Sequence, residues 1–383
     1  MKPVVETQAV FFYALSQIKG VGRQTLQRLV SHFSETDSLF QASQEDLEAL
    51  LGRNPANVLY EYLHVLSDKW QRSLEQAHEV LLQHIHQAIF PIAITSQLYP
   101  PLLRLIPDPP VILYAKGNTA LLRHVKAVAV VGTREPTPWG LQVAYRLAYE
   151  LGQRNYAIVS GLANGIDRVA HTGALDAHGK TIAVFGTPLD TIYPAANRDL
   201  AERILAESGL LVSELPLGQQ GFRQAFVQRD RIQSGFSLAV FPIQTSKDGG
   251  TMHTINFAQL QKRLIACPRP LRAEAMAKQY EGIWTLIRDK RVPSFDIDDV
   301  NYEKLLTKLQ ITRQQLLPDV PDEDETMEKQ PDPVETWQVA WESAQTEPTP
   351  EALSEKTQGK RTRRRKPSKS PEDNKILSNS VLW

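Results

Sequence analysis

Residues 127–167 restrict the fold more than any other stretch of this chain. An apolar run at 127–131 ends in Gly132-Thr133-Arg134, and a second at 157–159 ends in Ser160-Gly161. A helix signal follows each run. Thr137 can cap the first helix, and Pro138 suits its first position, where a missing N–H would be unpaired in any case. Along 139–153, Leu141, Ala144, Leu147, Ala148 and Leu151 recur at helical spacing. Gly165-Ile166-Asp167 opens the second helix. Strand, small-residue turn and helix, twice in succession, describe an α/β unit able to cradle phosphate.

The pattern continues downstream. Apolar runs at 181–185, 210–213, 238–241 and 263–266 alternate with helical stretches at about 166–178, 197–208, 224–235 and 251–262. Such alternation implies a parallel sheet with right-handed crossovers. Runs that are apolar almost throughout fit strands covered on both faces. The expected class is α/β: an extended Rossmann-like parallel sheet with helices on both faces, over 89–270. Within it, 89–117 is a proline-rich entry segment. Prolines at 91, 100, 101, 107, 109 and 110 disfavour helix and predict short extended pieces.

Residues 1–88 read as a small N-terminal helical domain, with helices at 10–18, 25–33, 37–52 and 58–88. The turn Ile18-Lys19-Gly20-Val21-Gly22 has two readings. It is the phosphate-holding hairpin of a SAM or helix-hairpin-helix-like module, or a tight turn between packed helices. Residues 271–317 form a weaker helical extension, with helices at 283–287 and 302–309. Over 318–383 the chain is first acidic (Asp319, Asp322, Glu323, Asp324, Glu325, Glu328). It then turns basic (Lys360, Arg361, Arg363, Arg364, Arg365, Lys366, Lys369). Blocks of like charge without apolar periodicity predict a disordered tail. Its basic end is either a non-specific polyanion binder or a solvated terminus.

The 383 residues leave room for two domains and a tail, and 42% hydrophobic with 22% charged residues is globular composition. The formal net charge is zero, so affinity for a polyanion must come from local clustering. A single cysteine, Cys267, excludes an internal disulfide and fits a reducing compartment. Beside Pro268 at the end of an apolar run, it reads as a buried spectator. No stretch approaches the ~18 apolar residues of a membrane span, and the N-terminus does not resemble a signal peptide. A cytoplasmic protein with no membrane partner is expected.

In an open α/β sheet, ligands bind outside the carboxyl ends of the strands. Those ends carry Gly132, Thr133 and Arg134; Ser160, Gly161 and Gly165; Gly186 and Thr187; and Gly249, Gly250 and Thr251. Small residues, amides and helix N-termini make these a row of candidate anion seats, to which Arg134 adds a fixed charge. A dinucleotide site would want G-x-G-x-x-G and an acidic residue about 20 positions on. One glycine followed by an arginine points to bare phosphates instead, and no cofactor is expected.

A second feature lies at 221–232. Arg223, Phe226 and Arg229 or Asp230 fall roughly on one helix face. Cations interleaved with an aromatic suit single-stranded nucleic acid, a stacked base contributing about 1–3 kcal/mol. The competing reading is a surface helix with Phe226 in the core and Arg229 paired to a carboxylate. No nucleophile triad, metal-ligand spacing or Walker loop can be placed, so neither catalytic residues nor a metal are expected. Asp167 is read as a helix cap, with a hold on His171 as the alternative.

These residues together resemble the DprA/Smf DNA-processing proteins, recombination mediators of natural transformation and competence. The resemblance covers about 10–270. It rests on Tyr99-Pro100-Pro101-Leu102-Leu103 with Ile106-Pro107-Asp108-Pro109-Pro110, on Val130-Val131-Gly132-Thr133-Arg134, and on Val159-Ser160-Gly161-Leu162-Ala163-Asn164-Gly165-Ile166-Asp167. A further match runs from Thr181 through Gly186-Thr187-Pro188-Leu189-Asp190 to Ile192-Tyr193-Pro194 and Asn197-Arg198. It implies a homodimeric Rossmann core that binds single-stranded DNA in a basic pocket, protects incoming DNA and helps load RecA recombinase. The implied pocket uses Gly132, Thr133, Arg134, Arg223, Phe226, Arg229 and Arg231.

Two departures stand out. The family's F-P-x-R-N-R appears as Phe226-Val227-Gln228-Arg229-Asp230-Arg231, placing a carboxylate at 230. S-G-S-L-I-T appears as Gly249-Gly250-Thr251-Met252-His253-Thr254, with Asp248 just before it. A winged-helix domain is not evident in 271–317. The competing functions are a nucleotide-binding sensor and a Rossmann-like nucleotide phosphoribohydrolase. The latter's P-G-G-x-G-T-x-x-E loop is only faintly matched by Gly249-Gly250-Thr251, without its glutamate.

Overall fold

The computed structural model describes residues 5–33, 36–219, 223–289 and 292–320. The basic segment at 360–369 and nearly all of the expected tail lie outside the described residues.

Six helices lead: α1 (Thr7–Ser16), α2 (Arg23–His32), α3 (Thr36–Gln41), α4 (Gln44–Leu51), α5 (Arg53–Tyr60) and α6 (Ser67–His86). The Gly20–Gly22 stretch joins α1 to α2, with Gly20 at a φ of 97° that favours glycine. Then come β1 (Phe90–Ala93), α7 (Pro101–Arg104), β2 (Ile112–Gly117), β3 (Ala127–Val131), α8 (Pro138–Gly152), β4 (Ala157–Ser160) and α9 (Ile166–Asp176). The core is completed by β5 (Thr181–Phe185), α10 (Arg198–Ala206), β6 (Leu210–Ser213), α11 (Arg223–Gly235), β7 (Ala239–Pro242), α12 (Thr251–Leu260) and β8 (Leu264–Ile265). The extension holds β9 (Cys267–Pro268), α13 (Glu281–Arg288), β10 (Ser294–Phe295) and α14 (Tyr302–Leu316).

The main sheet runs β1-β2-β6-β5-β4-β3-β7-β8. From β6 to β8 every pair is parallel. The parallel sheet expected from the sequence carries an antiparallel edge, because β2 is antiparallel to both β6 and β1. No helical crossover is needed for an antiparallel pair, and the connector between β1 and β2 only has to turn. It does so with α7, a helix where the prolines argued against one. Pro101 sits at its start, where no N–H is missed.

Helices cover both faces. Ala127, Ala129 and Val131 of β3 face one apolar cluster, with Ile232 of α11, Ile255 of α12 and the N-terminal helices. Val128 and Val130 face the other, with Leu147 of α8, Ala170 of α9 and Leu309 of α14. That alternation is the period-two geometry of a strand buried on both sides. The N-terminal helices share the first cluster with β1 and β2 rather than packing only on themselves. His84 of α6 stacks on Tyr114 of β2 at 4.8 Å. Its Nε2 accepts from the Leu217 N–H at 2.8 Å. Cys267 is buried, and burial pushes its thiol up to about 12, which suits a packing role.

Candidate nucleic-acid interface

The winding direction reverses between the neighbours β3 and β7, since β3 leads on to β4 on one side and β7 to β8 on the other. The connection that makes this jump, from β6 to β7, carries α11 against β5 and β3. A cavity of about 700 Å³ opens there, at the carboxyl ends of β3 and β7. This is the crevice where open α/β sheets take ligands.

Its walls come from four places. The turn after β3 supplies Gly132, Thr133 and Arg134, and α11 supplies Arg223, Phe226, Arg229, Asp230 and Gln233. The turn before α12 adds Asp248, Gly249, Gly250 and Thr251, and Tyr193 closes one side. The first turn is rigidly held. Thr137 Oγ1 accepts the Gly140 N–H at 3.1 Å, the helix cap read from the sequence. The Thr133 N–H donates to the Gln244 carbonyl at 2.8 Å. Residues of the extension brace this turn and the segment after β7. Glu274 bonds Thr137 Oγ1, Gln279 Nε2 donates to the Glu135 carbonyl at 3.3 Å, and the Gly282 N–H donates to Thr245 O at 2.9 Å.

Among the expected anion seats, Ser160, Gly161, Gly186 and Thr187 are buried and Gly165 is half-buried. Ser160 Oγ donates to the Val130 carbonyl at 2.8 Å, and the Gly161 N–H donates to Asp167 Oδ2 at 3.1 Å. Thr187 Oγ1 donates to Thr191 O at 2.6 Å. None of Ser160, Gly161, Gly165, Gly186 and Thr187 lines this cavity. Their small size serves packing. A Cβ on Gly161 would collide with the Arg229 guanidinium, and one on Gly186 would meet the Phe226 ring at 2.7 Å. Leu162 in the same turn takes a φ of 57°. That conformation costs about 1–2 kcal/mol for a side-chain-bearing residue. Asn197 Nδ2 holds it by donating to the Leu162 carbonyl at 2.7 Å.

The α11 residues also divide. Arg231 is fully buried on the side away from the cavity, with Nε on Asp108 Oδ2 at 3.0 Å and Nη2 on Glu214 Oε1 at 2.6 Å. Arg23 of α2 reaches the same Asp108 oxygen at 3.0 Å. Arg231 is therefore a structural ion-pair centre, and its place in the pocket implied by the family resemblance is corrected. Residues 229 and 231, two apart on a helix, point to nearly opposite sides. Arg229 borders the cavity but is buried, donating through Nη1 to the Val184 carbonyl at 2.5 Å and pairing through Nε with Asp230 at 3.2 Å. Arg223 is exposed at the rim.

Two carboxylates sit below. Burial raises the Asp167 carboxyl, against the pull of Arg229. Burial also pushes Asp230 up to about 7, with Asp167 adding to the rise and Arg229 and Arg134 opposing it. Asp167 neither caps α9, whose N-cap is Gly165 without a side-chain cap bond, nor holds His171; its carboxylate accepts the Gly161 N–H of the preceding turn. His171 Nδ1 instead meets Thr181 Oγ1 at 2.7 Å, and that hydroxyl donates to Ile158 O at 2.8 Å. The hydroxyl's proton is thus committed, so Nδ1 carries the imidazole proton. Burial lowers this histidine to about 3, with the Arg229 charge acting the same way.

Sequence reasoning did not include Tyr193 among the site residues. Its ring, 51% exposed, lies 5.4 Å from that of Phe226. Its signal in the sequence was the Ile192-Tyr193-Pro194 stretch after the β5 turn, which carried part of the family resemblance without a role for the ring.

Fold and site together define an open Rossmann-like α/β protein with a cation- and aromatic-lined crevice at its switch point. The model of DNA recombination-mediator protein A matches residues 91–303, and the chain belongs to that family. Protein Smf of Synechocystis is 35% identical over 263 residues, covering 67% of this chain and 63% of the relative. DNA processing protein DprA of Bacillus subtilis is 39% identical over 184 residues, covering 48% and 62%. This chain thus spans less than two thirds of either relative. Among solved structures, DprA of Streptococcus pneumoniae superposes with a TM-score of 0.61 at 28% identity, covering 77% of this chain and 97% of that one. The Helicobacter pylori protein, described for its single-stranded DNA binding, gives a TM-score of 0.51 at 29% identity, covering 57% and 96%. Among the described residues no helix is long and apolar enough to cross a membrane.

Proposed function

We propose that this chain binds single-stranded DNA in the switch-point crevice and acts as a recombination mediator. In this reading backbone phosphates sit against Arg134, Arg223 and the N-terminus of α12 at Gly250 and Thr251. A base packs on Phe226 beside Tyr193. The observation that carries the reading is this pairing of cations with two adjoining aromatic rings in one crevice. A duplex keeps its bases stacked inside, so exposed rings favour a single strand. Protection of incoming DNA, loading of RecA recombinase and action as a homodimer in the cytoplasm extend the same reading. The chain works by binding rather than catalysis.

The test is fluorescence anisotropy with single-stranded and duplex oligonucleotides across a salt series, for wild type, Arg134→Ala and a chain ending at Pro318. Preference for single strands, a loss of at least about tenfold in Arg134→Ala and little effect of truncation support the crevice. Binding that vanishes with the tail while Arg134→Ala is silent rejects it. The acidic groups in the crevice, Asp230 and Asp248, favour a nucleotide-binding sensor as the second reading. Tighter binding of nucleoside monophosphates than of oligonucleotides would select it.

A further inference from the structure

We propose that Asp230 sets the strength with which the crevice takes a phosphate backbone, by masking the charge of Arg229 and by repelling the phosphate itself. The inference rests on the DNA-binding reading above. Three observations carry it. Asp230 lines the cavity beside Arg134, Phe226 and Thr251. Its Oδ1 lies 3.2 Å from Arg229 Nε. Arg229 is held in place independently, since Nη1 is bonded to the Val184 carbonyl at 2.5 Å and the guanidinium covers Gly161. Removing the charge at 230 therefore leaves the cation where it is and uncovers its field.

Asp230 is faced from three elements. Arg229 and Gln233 come from its own helix, Asp167 from α9 and Arg134 from the turn after β3. The Gln233 amide, oriented to satisfy its neighbours, donates to Asp230 Oδ1 at 3.2 Å and accepts the Gly161 N–H at 2.8 Å. Glu135, Arg223, Asp248 and His253 line the same cavity. Arg229 thus faces two carboxylates, Asp167 and Asp230. One buried cation cannot fully compensate two buried anions, so the pair holds a proton more readily than exposed aspartates do. Burial and Asp167 place the protonation of Asp230 at about 7. Affinity for DNA should consequently rise as the pH falls through neutrality, and the amide side chain of Asp230→Asn should fix the tight-binding state at every pH.

The experiment uses the full chain and a fluorescein-labelled oligothymidylate, whose bases stay neutral across the range. Dissociation constants are measured at constant ionic strength from about pH 5.5 to about pH 8.5 for wild type, Asp230→Asn, His253→Gln and Arg134→Ala. At the alkaline end Asp230→Asn should bind at least about tenfold tighter than wild type, and the two should converge at the acid end. His253→Gln should keep the wild-type slope, which assigns the slope to residue 230 rather than to the histidine. Matching circular dichroism and melting cooperativity establish that the variants are folded. Equal affinities at the alkaline end, parallel profiles, or a slope removed by His253→Gln overturn the inference. If Arg134→Ala weakens binding while Asp230→Asn does nothing, the DNA-binding reading stands and the role of Asp230 alone fails. If Arg134→Ala is silent, both fall.

Discussion

The guanidinium of Arg229 occupies the space that a β-carbon on Gly161 would fill, so a glycine in the turn after β4 decides where a cation of α11 rests. Gly161→Ala should push Arg229 off the Val184 carbonyl and out toward the crevice. Overpacking of this kind costs about 1–3 kcal/mol, to be read as a lower urea midpoint. DNA affinity at low salt should change as well, since the displaced charge is the one beside Asp230. An unaltered urea midpoint would show that the turn relaxes without moving the arginine.

Arg231 makes the opposite prediction. It is fully buried and bonded to Asp108 and Glu214. Removing one member of a buried pair strands the others, at a cost of about 3–5 kcal/mol. Arg231→Met should therefore lower stability sharply in chemical denaturation. Oligonucleotide binding per folded molecule should stay within about twofold of wild type. Arg134→Ala should do the reverse.

The crevice cations and rings should separate by salt. Arg134→Ala and Arg223→Ala should each lower the slope of log affinity against log salt by about one. Phe226→Ala and Tyr193→Ala should leave that slope intact and weaken binding by about 1–3 kcal/mol per lost stacking contact. A changed salt slope in either aromatic variant would argue against base stacking.

His84 gives a pH prediction with a definite sign. Its Nδ1 lies 2.8 Å from the Val80 carbonyl and its Nε2 accepts the Leu217 N–H, so the ring must be neutral. Burial lowers it in the fold. The unfolded chain therefore takes up the proton first, and this group's contribution to stability, present above its ordinary value of about 6.5, is lost as the pH falls below it. His84→Gln keeps an acceptor for Leu217 without titrating. Melting temperatures of variant and wild type should converge, or cross in favour of the variant, as the pH falls from about 8 to about 5. A constant difference across that range would remove the histidine from the acid sensitivity.

How far the chain could be read in advance depended on burial. The strands at 127–131, 181–185 and 210–213 were delimited correctly because strands covered on both faces are written as unbroken apolar runs. The Thr137 cap was legible from local chemistry alone. The antiparallel edge was not, since pairing direction at β2 depends on a partner, β6, met about a hundred residues later. The site was half legible for a related reason. A glycine that admits a phosphate and a glycine that admits a neighbouring side chain look alike in one dimension. Gly250 stands in open space at the cavity edge, whereas Gly132 packs against Ile166, Gly161 under Arg229 and Gly186 under Phe226. The spacing of Arg229 and Arg231 was the one available clue to their separate roles, and the family resemblance grouped them together.

The two ion-paired arginines of α11 have a mechanical consequence. Two residues along a helix is a turn of roughly 200°, so Arg229 and Arg231 grip opposite walls, the β5 carbonyl edge on one side and the Asp108–Glu214 pair on the other. Rolling α11 about its long axis in either direction tears one grip as it strains the other. The two contacts together oppose a swivel of the helix. Phe226 and Asp230 therefore face the crevice from an azimuth that both grips favour.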